Sequence, residues 1–411
     1  MTRIDLRKYP KAALAVVFLL FLHSLRYFDY IGVSNVFWGR TAKLSALLLI
    51  GVCLVSKSPR RMPGRYWMLA LLMVPMLSFL PAWLENGQSP VESLRTYLTL
   101  GLVLVYFILH KAKIAPAYIA YGFTILAVVR LVIYVVQQFT YPDYLFSYRP
   151  EGLNVYGYFT GIEVRSGIYR YYIEDTYLSM FLVFYSLQKM IRKINVSHVI
   201  FFLVGLVGIY LDQSRQFMVS TLLAVLFVLF FSYKSRYKGW ILLGAGVVIL
   251  ILLVNYWRVF EDLINMTKDD LSTSNIRLLS YATYGLEFWG GPLSVIFGNG
   301  PIGNSAYGDT VAYMYESLHL FHADVGLVGA ANLYGVVTIL VFLSFFGFFV
   351  FRNWRKLEMH VKMYYVAMLV NTPLVTIYTQ NVNWFVFFAF MLYLSDRDIV
   401  RYDRRRLKKS I

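Results

Sequence analysis

Two histidines three residues apart, His319 and His322, stand with Glu316 and Asp324 in the segment ESLHLFHADVGLVG (Glu316 to Gly329). Imidazole is the usual proton acceptor near neutral pH. The spacing puts both rings on one helical face with Glu316, which also admits a metal site of two imidazoles and a carboxylate. Arginines stand elsewhere at the edges of apolar runs. Arg215 closes the turn Leu211-Asp212-Gln213-Ser214-Arg215, Arg277 follows the polar DDLSTSN (Asp269 to Asn275), and Arg258 follows Trp257. A guanidinium is planar, permanently charged and fork-shaped, which suits phosphate or pyrophosphate oxygens. Plainer uses stay open. Arg215 could pair with Asp212 or reach lipid phosphates, Arg277 could be solvated or acid-paired, and Arg258 beside Trp257 fits an interface anchor.

Two further segments are weaker signals. The glycines of FGNGPIGN (Phe297 to Asn304), which holds Asn299, allow backbone N–H groups to approach an anion. No Lys-Ser/Thr pair of the nucleotide-loop kind follows them. The tyrosine-rich stretch Thr140 to Glu174 carries Arg149, Arg165 and Arg170. Its rings fit either a membrane-interface belt or a loop that stacks on sugars.

The elements that position these residues are membrane spans. The chain has 411 residues, 59% hydrophobic and 15% charged, with a mean hydropathy of +0.58. Apolar runs recur at 12–28, 41–56, 66–84, 94–110, 117–139, 175–188, 196–211, 216–233, 239–256, 325–351, 363–379 and 382–396. Such long, uniformly apolar runs are helices, since lipid offers the backbone no partners and barrel strands would be short and alternating. The expectation is an all-α polytopic membrane protein of about 12 transmembrane helices in one domain, 1–411.

Most of the 39 Lys and Arg residues fall in the N-terminus, 57–65, 110–113, 188–195, 233–238, 352–362 and the tail 397–411. Basic loops stay cytoplasmic, so both termini are expected inside and the two large loops, 140–174 and 257–324, outside. That alternation requires 316–351 to cross once, with 316–324 at the outer surface. The net charge of +17 is then a topology signal, with the basic tail against anionic lipid. It does not indicate nucleic-acid binding. The basic N-terminus before AALAVVFLLFL has no small-residue cleavage site after it, so it reads as an uncleaved signal anchor. Cys53 lies alone in an apolar run and has no disulfide partner in the chain.

Taken in order, these pieces resemble the O-antigen polymerase and O-antigen ligase superfamily of bacterial inner-membrane enzymes. Asp212-Gln213-Ser214-Arg215 resembles the family's Ser-Arg at the outer start of a mid-chain span. Arg277, a surface helix and Phe297-Gly298-Asn299-Gly300 resemble the Arg…Gly-x-Gly of its large outer loop. His322, Asp324 and the small-residue run to Tyr334-Gly335 resemble its His-Asn/Asp element ahead of a late span. Ala323 stands where many members have Asn, His319 competes for the histidine role, and the Arg-x10-Gly motif of some polymerases is absent.

The resemblance implies a glycosyltransferase of the C-type (GT-C) kind, in a bacterial inner membrane with its active site facing the periplasm. Its donor and acceptor would be undecaprenyl-diphosphate-linked glycans, polymerised with Arg215 and Arg277 on the pyrophosphate and His322 as base. Arg258, His319, Asp324, Arg165, Arg170 and Asn299 would complete the substrate contacts. No metal or other cofactor is implied, and a chain-length regulator would be the protein partner. The near alternative is a ligase that moves glycan to lipid A core, and the alternative of another class is a lipid-glycan flippase. A transporter should concentrate charge at broken helices near the midplane.

Overall fold

The computed structural model describes residues 5–25, 35–57, 61–140, 163–165, 168–170, 176–212, 214–232, 276–379 and 382–408. The expected span 239–256 and Arg258 lie outside them. The remaining apolar runs are helical: α1 (Pro10–Ser24), α2 (Asn35–Val55), α3 (Arg65–Leu84), α4 (Pro90–Ala112), α5 (Pro116–Thr140), α6 (Thr176–Arg192), α7 (Val196–Leu211) and α8 (Arg215–Ser232). The second large loop then supplies α9 (Ile276–Ala282), continued by a π-helical turn (Thr283–Glu287), α10 (Pro292–Phe297) and α11 (Ala306–Ser317). A 3-10 turn (His322–Asp324) leads into α12 (Gly326–Phe351), and α13 (Met359–Asn371) and α14 (Val382–Leu407) end the chain. By length and composition α3, α4, α5 and α12 are each able to cross a membrane. The molecule is a helical membrane protein.

Two features depart from the sequence expectation. The run 363–379 is helical only to Asn371, and Thr372 to Thr379 form turns. Pro373 has no N–H to continue the ladder and its ring crowds the preceding turn. The loop 140–174 is not purely irregular: strands β1 (Glu163–Arg165) and β2 (Ile168–Arg170) pair antiparallel, with Glu163 opposite Arg170 and Arg165 opposite Ile168.

The core is built around α14, whose Phe385, Phe387, Phe388, Phe390 and Tyr393 are all fully buried. From Phe385 to Leu394 this helix is buried on every side, so that half has no lipid or water face and sits centrally. Its rings meet α1 through Phe21 (5.0 Å to Phe390), α5 through Phe123 (4.9 Å to Phe387), α6 through Tyr177 (4.3 Å to Phe387) and α12 through Phe345 (5.2 Å to Phe388). Three of these pairs are tilted and the Phe345–Phe388 pair is edge-on, and such aromatic contacts add roughly 1 kcal/mol each to their area burial.

At the basic end of the bundle, Asp396 of α14 is fully buried. It accepts from the Gly64 N–H at 2.7 Å and from the Tyr106 hydroxyl, and it pairs with His110 Nε2 at 3.0 Å. The Lys111 ammonium beside it reaches the C-terminal end of α2, at Ser56 O (3.2 Å) and Ser56 Oγ (2.8 Å). Cations suit helix C-termini, where carbonyls lack intrahelical partners. These contacts tie α2, α3, α4 and α14 together at one end, leaving the opposite end to carry the site.

Candidate functional site

The turn after α13 is where the three singled-out elements meet. Asn371 Nδ2 donates to Ser220 Oγ of α8 at 2.9 Å. The Tyr281 hydroxyl of α9 donates to Pro373 O at 2.6 Å, and Leu327 N of α12 donates to Thr372 O at 3.1 Å. Gly326 permits that last approach, because a Cβ there would lie 2.3 Å from Thr372 O. Arg215 begins α8 five residues before Ser220, about 8 Å along a helix. Arg277 lies one turn before Tyr281 on the same face, and His322 five residues before Leu327. Burial raises the Tyr281 pKa, and the Arg277 charge one turn away opposes that shift. The structure therefore brings the elements of Arg215, Arg277 and His322 to one turn.

His322 itself is 1% exposed and fixed on three sides. Its ring stacks on Tyr284 at 3.8 Å, Nδ1 lies 2.8 Å from the Tyr315 hydroxyl, and Nε2 lies 3.0 Å from Asn332 Oδ1. Asn332 Nδ2 donates to Tyr284 O (3.0 Å) and Phe288 O (2.6 Å), so the amide oxygen must be the atom facing histidine. Nε2 then carries the hydrogen and Nδ1 the lone pair, which accepts from Tyr315. Burial lowers the His322 pKa to about 4, with the Asn332 hydrogen bond acting in the opposite direction. The imidazole is neutral at physiological pH and basic at Nδ1, and Tyr315, half-buried, stands in front of that atom.

The glycine segment has a different use from the one its sequence suggests. Gly298 N donates to Ser294 O, Asn299 N to Asn332 O, Gly300 N to Leu333 O and Gly303 N to Gln88 Oε1. These amides are engaged by the protein, not presented to an anion. The carbonyls are available because α12 breaks at Gly335 (φ 83°, ψ 160°), releasing Asn332 O and Leu333 O from the helical ladder. A Cβ on Gly298 (φ 91°) would lie 2.4 Å from Leu333 O, and one on Gly335 would lie 2.3 Å from Ile296 O. Only glycine fits either side of this crossing.

Asn299 is buried in the same seam. Its Nδ2 donates to Phe288 O (3.0 Å) and Asn332 Oδ1 (3.1 Å), and its Oδ1 accepts from Gly290 N (2.9 Å). Expected at the substrate, it is instead a strut linking the loop to His322 through Asn332. The segment between α3 and α4 closes the seam from the other side. Glu85 accepts from Leu293 N, Ser294 N and Ser294 Oγ at the start of α10, and Gln88 donates to Pro301 O at 2.8 Å. A carboxylate at a helix N-terminus is favoured by the aligned peptide dipoles.

The Arg215 turn has its own anchor. Arg130, a lone charge in the apolar α5, is 1% exposed and pairs with Asp212. Its guanidinium also reaches Ser179 Oγ (3.0 Å) and Gly208 O (3.4 Å). Arg130, Asn332, Tyr284 and Tyr315 were not singled out from sequence. For Arg130 a signal existed, since an ionisable residue inside a span is a functional candidate. For Asn332 and the two tyrosines there was none.

Of the other expected contacts, His319 sits in a left-handed conformation (φ 56°) and Asp324 closes the 3-10 turn that starts at His322. Among the described residues no three of His, Cys, Asp and Glu gather as a metal site. Arg165 and Arg170 end the two strands of the hairpin. No protein-family model matches this chain, and no curated protein matches it.

Proposed function

We propose that this chain is a membrane glycosyltransferase that polymerises undecaprenyl-diphosphate-linked repeat units at the outer face of a bacterial inner membrane. The supporting observation is the meeting of the Arg215, Arg277 and His322 elements at the Asn371–Pro373 turn. Two guanidiniums carried by those elements suit a diphosphate, and a neutral imidazole that accepts from the Tyr315 hydroxyl suits proton removal from a sugar hydroxyl through that tyrosine.

In this reading the acceptor hydroxyl attacks the donor's anomeric carbon as the bond from that carbon to the phosphate oxygen breaks. Arg215 and Arg277 stabilise the charge that accumulates on the leaving diphosphate. Because His322 is buried behind Tyr315, the acceptor proton passes to the Tyr315 oxygen while the Tyr315 proton passes to His322 Nδ1. A new glycosidic bond, a free lipid diphosphate and a protonated histidine result, and the histidine then loses its proton to solvent.

The break in α12 is a feature that discontinuous transporter helices share. Here its released carbonyls accept from Asn299 and Gly300, so it does not line an open path, which favours the transferase over a flippase. The test is a membrane preparation given lipid-linked repeat units. Wild type should produce a ladder of products. Arg277→Ala and His322→Ala should abolish it at unchanged protein levels, and Tyr315→Phe should slow it by about 100-fold, the usual scale of a lost proton-transfer partner. Retention of the ladder by all three variants refutes the reading. Product formed only with a lipid A core acceptor replaces polymerase by ligase, and lipid translocation without product replaces it by flippase.

A further inference from the structure

The stretch between the π-helical turn and α11 differs in kind from the rest of its loop. From Phe288 to Gly308 it has no charged residue. The exposed residues of its short helix α10 are Pro292, Val295 and Ile296, all apolar. Its backbone is nevertheless engaged. Leu293 N and Ser294 N donate to Glu85, Asn299 N and Gly300 N to the carbonyls of Asn332 and Leu333, and Gly303 N to Gln88. Pro292 and Pro301 have no N–H to satisfy. A loop in water needs no such arrangement, because solvent supplies the partners. In hydrocarbon, irregular backbone persists only where protein supplies them.

The depth of this stretch follows from the helices it crosses. The 20 residues of α3 rise about 30 Å, the thickness of the hydrocarbon slab. Its site end carries the exposed Trp83, a residue type that marks membrane interfaces. A Cβ on Gly300 would lie 2.5 Å from Ala82 Cβ and 3.3 Å from Ser78 O. Those residues stand two and six positions before Leu84, about 3 and 9 Å inside the end of the span. The far end of α10 meets Gly335, nine residues after α12 starts at Gly326. No residue of α12 is exposed before Val336. Helix α10 packs against both α3 and α12. It adds Val295 and Ile296 to the exposed apolar side chains of α3, among them Leu80 and Leu84.

We propose that residues 288–304 form a re-entrant segment, with the Val295–Ile296 side of α10 docked against acyl chains of the leaflet at the site end. Acyl chains fit an uncharged, apolar face at span depth whose neighbouring backbone is already satisfied by protein. Water does not, and the segment is no aqueous cap. Asn299 of this segment bonds Asn332, which accepts from His322 Nε2, so an element lying in lipid braces the histidine network. The placement holds whichever reaction the site performs.

The test uses the full chain with Cys53→Ser and a single cysteine at Val295 or Ile296, spin-labelled in phosphatidylcholine–phosphatidylglycerol nanodiscs. Collisions of the label with oxygen, which concentrates in hydrocarbon, are compared with collisions with a water-soluble nickel chelate. Leu340→Cys on the exposed side of α12 and Thr310→Cys, exposed beside Asp309 on α11, are the references. Both replaced side chains are exposed, so both variants should melt as wild type does, and either alone carries the measurement. Their oxygen-to-chelate ratio should match that of Leu340→Cys and exceed that of Thr310→Cys by at least about tenfold, since hydrocarbon excludes the polar chelate. A ratio like that of Thr310→Cys at either site overturns the proposal. So does a label that neither reagent reaches, which would mean that protein covers the face.

Discussion

His322 has one tautomer open to it, because Asn332 offers only its oxygen and that oxygen is oriented by two carbonyls on its amide nitrogen. The same burial has a consequence for stability. The folded-state pKa is about 4, below the ordinary 6.5, so between these values the unfolded chain binds the proton that the folded chain refuses. Stability from the neutral imidazole is whole above about pH 6.5 and declines as pH falls towards 4, by about 3 kcal/mol in total. Melting curves between pH 7 and pH 4 should fall by about this amount more in wild type than in His322→Asn. Parallel curves would remove the assignment. At this scale the sequence was half legible. His322 announces itself through chemistry that few residue types share, whereas Asn332 and Tyr315 acquire their roles only from a meeting of segments that no spacing encodes.

Among the elements, α12 is the one whose hydropathy conceals its shape. Its apolar run continues through Gly335 without interruption, and a glycine inside such a run is compatible with a straight helix. The break exists because another backbone crosses it, and that crossing depends on Gly298. Gly298→Ala should destabilise the protein by at least about 2 kcal/mol, since the new Cβ meets the Leu333 carbonyl in a left-handed conformation. Gly39→Ala is the matched control. Nothing lies within 4 Å of a Cβ there, and its helical setting predicts a change of under about 1 kcal/mol in the stabilising direction. Equal melting shifts for the two would show that the crossing is not tightly packed. Spans elsewhere were readable because a long apolar run has only one way to satisfy its backbone in lipid. The end of α13 was missed by eight residues, although Pro373 stood in the sequence as a reason to stop.

For the whole molecule, the buried Asp396 carboxylate gathers the basic end of the bundle, whereas backbone crossings, an amide network and the Arg130–Asp212 pair hold the site. Asp396→Ala should therefore act only on stability. It leaves the buried Gly64 N–H and Tyr106 hydroxyl without their shared acceptor, a loss of about 2–4 kcal/mol. The folded fraction should keep wild-type affinity for undecaprenyl diphosphate. A parallel fall in affinity would mean that the ends are coupled. Membrane class was legible from composition, because nothing but lipid tolerates such repeated apolar runs. The break in α12 bears on the lipid as well as on the protein. Its exposed apolar side chains, Val336, Leu340, Leu343, Phe348 and Phe351, all lie beyond Gly335. A helix from 336 to 351 rises at most about 24 Å, against a hydrocarbon slab of about 30 Å. Lipid that touches only this exposed stretch has less helix to match than its own thickness, and local thinning of the bilayer beside it is one ordinary accommodation of such a mismatch.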